Sequence, residues 1–81
     1  MQKEEIFRRV QDIFSRVISP GVSLTQETVS RDVREWDSLS HVMFIAELEK
    51  DFGIRFELSD MLNMRSIGEI CKGIEKQLES K

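Results

Sequence analysis

The run Glu35-Trp36-Asp37-Ser38-Leu39-Ser40-His41-Val42-Met43-Phe44-Ile45-Ala46-Glu47-Leu48-Glu49-Lys50-Asp51-Phe52-Gly53-Ile54 carries the pattern that decides the fold. Asp37 has a side chain suited to accept hydrogen bonds from the free amides of a first helical turn, so it predicts an N-cap before the run Leu39 to Lys50. Phe52-Gly53-Ile54 predicts the stop. The helix between is apolar on more than one face: Val42, Ile45 and Leu48 with Phe44 are expected to look inward, while Leu39, Met43 and Ala46 form a neighbouring stripe at i, i+4 and i+7. The second stripe is surplus to a simple core.

Upstream, Ile6, Phe7, Val10, Ile13, Phe14, Val17 and Ile18 hold one apolar stripe in register, which predicts an amphipathic helix over 3–18. Ser19-Pro20-Gly21 ends it, because proline disfavours helical geometry in the residue before it. From there to Trp36, the apolar residues Val22, Leu24, Val29, Val33 and Trp36 follow no period, so a long loop pinned to the core is expected. Downstream, a short helical turn is expected after Ser59, around Asp60 to Asn63. A last helix opens at Ser66-Ile67-Gly68-Glu69, which reads as a capping box, and buries Ile67, Ile70, Cys71, Ile74 and Leu78 toward the C-terminus. The fold class is all-α: a small bundle of three long helices plus one short, with a long loop between the first two. Residues 1–81 read as one domain.

The chain has 81 residues, 40% of them hydrophobic and 33% charged, which suits a globular unit too small for a deep catalytic pocket of its own. Net charge is −3, but it is unevenly spread. Residues 1–34 carry 6 basic and 5 acidic groups, 35–60 carry 2 and 7, and 61–81 carry 4 and 3. An acidic middle third disfavours nucleic acid as a partner and attracts basic protein surfaces. No apolar run is long enough for a membrane span or a signal peptide, so neither membrane insertion nor secretion is expected. The lone Cys71 makes no internal disulfide and fits a reducing, cytoplasmic setting.

Chemistry-bearing constellations are scarce. Ser38 and His41 stand at i and i+3, yet a helical Ser–His pair with no oxyanion hole is a poor nucleophilic site, and His41 is expected as an ordinary surface residue. Cys71 lies on an apolar stripe and is expected to be a buried, inert thiol. No Cys/His cluster exists for zinc, and Glu47, Glu49, Asp51, Glu57 and Asp60 lack the spacing of a calcium loop, so no metal site is expected.

Asp37-Ser38-Leu39 is different. It places a hydroxyl at the start of an acidic helix with surplus apolar surface. The stretch Glu35 to Val42, followed by Ile45-Ala46-Glu47-Leu48-Glu49-Lys50-Asp51-Phe52-Gly53-Ile54, resembles the acyl carrier protein family. The resemblance extends over the whole chain, through Leu24-Thr25-Gln26-Glu27-Thr28 in the loop and the closing Ser66-Ile67-Gly68-Glu69-Ile70. It implies that Ser38 is esterified with 4′-phosphopantetheine taken from coenzyme A, and that Asp37 both caps the helix and helps a magnesium-dependent phosphopantetheinyl transferase bind. A serine in the first turn suits this role, since the free amides and positive end of the helix stabilise an attached phosphodiester. Trp36 is expected to anchor the long loop, its indole N–H reaching a carbonyl.

The resemblance further implies a non-enzyme, expected as a monomer, that holds an acyl intermediate as a thioester and passes it between an acyl-loading ligase or acyltransferase and downstream biosynthetic enzymes. The stripe Leu39, Met43 and Ala46 with Glu47 is the expected partner-binding face, suited to weak, electrostatically steered docking. Carriers of this family commonly present an acid where Met43 stands. That departure implies a more apolar contact and points toward specialised biosynthesis rather than housekeeping fatty-acid synthesis. Two readings stay beside this one: an aminoacyl or peptidyl carrier, and an interaction domain of the same fold that is never loaded. A helix-turn-helix DNA binder would need a basic recognition helix, which Glu47, Glu49 and Asp51 against Lys50 do not supply.

Overall fold

A computed structural model of the chain describes residues 2–79. Its helices are α1 (Lys3–Val17), α2 (Ser38–Phe52), α3 (Leu58–Asn63) and α4 (Ile67–Glu79), with a single 3₁₀ turn at Ser30–Asp32. The three-long, one-short order is therefore the one the periodicity predicts. α1 ends at Val17, one residue early, where the amides of Ile18 and Ser19 both bond to the Phe14 carbonyl. Just beyond, Gly21 turns the chain at φ 83°. α3 starts at Leu58, ahead of Ser59, and α4 is followed to Glu79, residues 80–81 lying outside the described range.

Three apolar stripes meet in one core. Ile6, Val10, Ile13 and Phe14 come from α1, Phe44, Ile45, Leu48 and Phe52 from α2, and Ile67, Ile70 and Ile74 from α4. Phe14, Trp36 and Phe44 form a triangle of edge-to-face rings with centroids 5.4 to 6.1 Å apart. Each such pair adds roughly 0.5–1.5 kcal/mol beyond the area it buries. Val42 is the exception to the expected inward set, being exposed. The residue between it and the α2 core stripe on that side is His41, which takes the inward place instead.

The long loop is held by backbone as well as side chains. Leu24, Val33 and Trp36 are buried, while Val22 and Val29 are half-buried. An antiparallel bridge joins Val29 to Ser66. Around it, the Ser30 amide bonds to the Arg65 carbonyl at 3.0 Å, the Ile67 amide to Thr28 at 2.9 Å, and the Gly68 amide to Gln26 at 2.9 Å. This approach requires Gly68, since a Cβ there would stand 2.8 Å from the Gln26 carbonyl oxygen. The loop expected to be pinned to the core is pinned by its side chains and is also stitched by its backbone to the start of α4.

α2 stops as its sequence predicts. Gly53 adopts φ 67°, and its amide and that of Ile54 both return to the Glu49 carbonyl. The Glu49 carboxylate then accepts from the Phe56 amide at 2.7 Å, turning the chain toward α3. Across the bundle, Arg9 pairs with Asp51 at 2.7 Å and lies over the Phe52 ring at 4.4 Å, tying α1 to the end of α2.

Candidate functional site

The site is the entry to α2. Asp37 leaves the loop in extended geometry, and its carboxylate accepts from the Ser40 amide at 2.9 Å, while the Ser40 hydroxyl accepts from the Asp37 amide at 2.9 Å. That reciprocal box engages Ser40, whose hydroxyl also donates to the Glu35 carbonyl at 2.8 Å. Ser38 stands differently. It is exposed, opens the helix, and its hydroxyl holds no hydrogen bond to any described residue. Of the two serines in the motif, one closes the cap and the other is left for chemistry. The Ser40 amide, followed by its hydroxyl, holds the Asp37 carboxyl below its ordinary value of 3.8, so the residue beside Ser38 is an anion.

Beneath this entry lie Trp36 and His41. The indole N–H of Trp36 reaches not a carbonyl but His41 Nδ1, at 3.0 Å. His41 Nε2 lies 2.8 Å from the Met61 carbonyl oxygen. With Nδ1 accepting from the indole, Nε2 is the nitrogen placed to donate to the Met61 carbonyl. The surface position expected for His41 is therefore corrected: it is buried, and both ring nitrogens are engaged. Neither is left to activate Ser38, which removes the Ser–His dyad.

A cavity of about 260 Å³ opens beside Ser38, walled by Trp36, His41, Val42 and Leu62 and edged by Ser30, Asp37 and Arg65. Outward from it, the expected partner face divides by exposure. Leu39 is 72% exposed and Met43 53%, Ala46 is exposed, and Glu47 is half-buried at the edge. The structure enlarges that face with residues the sequence reading did not select: Val42 on α2, and Leu58 and Leu62 on α3. Leu58 and Leu62 stand at i and i+4 in a helix of 6 residues with no buried member, a spacing that signals a shared apolar face. Of the acidic neighbours, Asp51 is paired with Arg9 and Glu49 with the Phe56 amide, so the charge turned outward is less than the sequence suggests.

Cys71 is half-buried against the core and lines a separate cavity with Ile6, Gln26 and Glu75. Burial first, and then the Glu75 carboxylate, push its thiol up to about 11. The full burial expected for Cys71 is corrected to half-burial, since only part of its surface packs against the core, while the raised thiol disfavours the reactive thiolate. Among the described residues no helix is long and apolar enough to cross a membrane.

Residues 8–74 match the family model described as "Phosphopantetheine attachment site". The chain is 32% identical over 77 residues to an acyl carrier protein of Thermotoga maritima, covering 94% of this chain and 95% of that one. An acyl carrier protein of Saccharopolyspora erythraea is 28% identical over 73 residues, 89% of this chain and 77% of that one. Among solved structures, the holo acyl carrier protein of Geobacter metallireducens superposes with a TM-score of 0.85 at 30% identity, over 93% of this chain and 87% of that one. A mitochondrial acyl carrier protein of Toxoplasma, at 17% identity, shares the fold with a TM-score of 0.80 over 95% and 91%.

Proposed function

The chain belongs to the acyl carrier protein family, whose members carry acyl groups on phosphopantetheine, and on that footing we propose that Ser38 is the residue that bears the arm. The supporting observation is the division of labour between Ser38 and Ser40, which leaves one exposed, unbonded hydroxyl at a helix start. The residues present fit the group. Ser38 opens α2 and is exposed at the positive end of the helix, and the open cavity gives the root of the arm room to lie against the protein.

When attached, the arm supplies a thiol that holds the acyl group as a thioester. The protein's own residues set its root. In loading, Ser38 Oγ would bond to the phosphorus on the pantetheine side of coenzyme A as the pyrophosphate bond breaks, the adenosine bisphosphate half would leave with the electron pair, and the hydroxyl proton would pass to a base of the transferase. Asp37 caps α2 and presents an anion to the magnesium-dependent transferase. His41 and Trp36 hold the entry rigid against α3.

We infer the rest of the reading from the family resemblance. Residues 1–81 act as one carrier domain, a monomer of the cytoplasm without catalytic activity of its own. A ligase or acyltransferase loads the arm, and downstream biosynthetic enzymes dock on Leu39, Met43, Ala46 and Glu47. The apolar Met43 at the centre of that face favours partners of a specialised pathway.

Incubation with coenzyme A, Mg²⁺ and a broad-specificity phosphopantetheinyl transferase tests the assignment by mass spectrometry. One added phosphopantetheine is expected, absent in Ser38→Ala with helicity unchanged. An unmodified wild-type mass beside an active control carrier would make the chain an unloaded interaction domain.

A further inference from the structure

Arg65 stands between α3 and α4, on the rim of the cavity that Ser38 also lines. It is held there by both backbone and side chain. Its carbonyl accepts from the Ser30 amide at 3.0 Å, its amide bonds to the Asn63 carbonyl at 3.1 Å, and its Nε donates to the Leu62 carbonyl at 3.1 Å. With Nε fixed, the planar guanidinium has a set direction, and its two terminal nitrogens hold no partner among the described residues. A planar fork with two free donors fits two oxygens of a phosphate, and little freedom is left to lose on pairing.

The cavity's charges raise the need for such a group. Two charged side chains line it, Asp37 and Arg65. A phosphodiester on Ser38 is an anion placed next to the Asp37 carboxylate, so the cap that starts the helix also repels what the helix is meant to carry. The positive end of the α2 dipole offsets part of that repulsion. Arg65 is the one cation on the cavity wall able to offset the rest. Arg31 and Arg34, also exposed, belong to the loop and do not line it.

We propose that Arg65 is the intramolecular counter-ion of the arm, pairing with the phosphodiester on Ser38 and so laying the root of the arm over the Val42 and Leu62 side of the cavity. This rests on Ser38 as the attachment site. It makes Arg65 a binding residue for the prosthetic group that the linear motif around Ser38 does not contain, brought to it by the bridge between Val29 and Ser66.

The test uses the full chain, loaded enzymatically and verified by mass. Nitrogen-15 spectra of the arginine side chains, before and after loading, are expected to show the Arg65 Nε–H and terminal N–H signals shift, with those of Arg31 and Arg34 unmoved. The phosphorus-31 signal of the loaded protein is expected to move in Arg65→Gln and, in wild type, on raising salt to 1 M, where the Debye length is about 3 Å. An exposed pair of this kind changes the paired population by roughly two- to five-fold. Arg65→Lys keeps the charge but lacks the fixed fork, and is expected to lie between. Full loading with unmoved Arg65 signals and an identical phosphorus signal in Arg65→Gln overturns the counter-ion and leaves Ser38 standing. No mass gain at all overturns both.

Discussion

The indole nitrogen of Trp36 donates to Nδ1 of His41 at 3.0 Å, and through that ring the loop before Ser38 is joined to the Met61 carbonyl of α3. One histidine thus connects three elements around the candidate attachment site. α3 has no fully buried residue of its own, and this bond adds to the packing of Met61 against the core in positioning it. Removing the ring leaves a buried indole N–H and a carbonyl without partners, each worth about 1–3 kcal/mol. His41→Ala is expected to lower the melting temperature by on the order of 10 °C at about 4–8 °C per kcal/mol. Backbone hydrogen exchange over Leu58–Asn63 should rise with it. A melting temperature within 2 °C of wild type would show that α3 is held by other contacts.

Ser40 and Ser38 are expected to respond in opposite ways. Ser40→Ala removes one side of the Asp37 cap, which typically costs about 0.5–2 kcal/mol, yet the variant should still gain the phosphopantetheine mass. Ser38→Ala should keep its melting temperature and gain nothing. Label on Ser40 in the wild type would reverse the assignment.

Asp37 links the cap to acidity. Its carboxyl is held below 3.8 in the folded chain, so it binds its proton more weakly folded than unfolded, and its contribution to stability is complete above 3.8 and is lost as pH falls through the lower folded value. Asn also caps well but does not titrate. Acid unfolding of Asp37→Asn, followed by circular dichroism, is therefore expected to be less steep than wild type below pH 4. Identical acid curves would mean the carboxylate adds nothing beyond its shape.

Cys71 titrates in the opposite sense. Its thiol is raised from 9.0 to about 11, so the folded chain keeps a proton that the unfolded chain releases. Its contribution is present below pH 9 and lost as pH rises from 9 toward 11, a slope that Cys71→Val should remove. At pH 8 the thiolate fraction is on the order of 0.1%, so alkylation of the native apo chain should be slow and should accelerate in denaturant. Rapid native alkylation at pH 8 would place the thiol outside the α4 stripe.

Met43 is 53% exposed and so is not a core residue, and docking is the role proposed for it. Met43→Ala is expected to leave the melting temperature nearly unchanged. If Met43 is buried by a partner, its truncation should remove about 1–2 kcal/mol of binding and raise the apparent KM for transfer from the loaded protein roughly five- to thirty-fold. A large drop in melting temperature with unchanged transfer would return Met43 to the core.

Much of the fold is legible locally because helices write their own punctuation. The stripe from Ile6 to Val17, the Asp37 cap, Gly53 in left-handed geometry and the α4 stripe from Ile67 to Ile74 each depend on residues within a few positions of one another. So does the distinctness of Ser38, which follows from its place in the first turn. What depends on distant partners was not legible. His41 sits one position from exposed Val42, and only the Trp36 indole and the Met61 carbonyl decide which of the two turns inward. The same holds for the loop, whose Ser30 amide and whose Thr28 and Gln26 carbonyls find their partners 35 to 42 residues away on Arg65, Ile67 and Gly68 by a pairing that no period announces. Arg65 reads in sequence as one surface cation among several. Only folding brings it to the rim beside Ser38, because the electrostatic field at a site is set by distance through space and not along the chain.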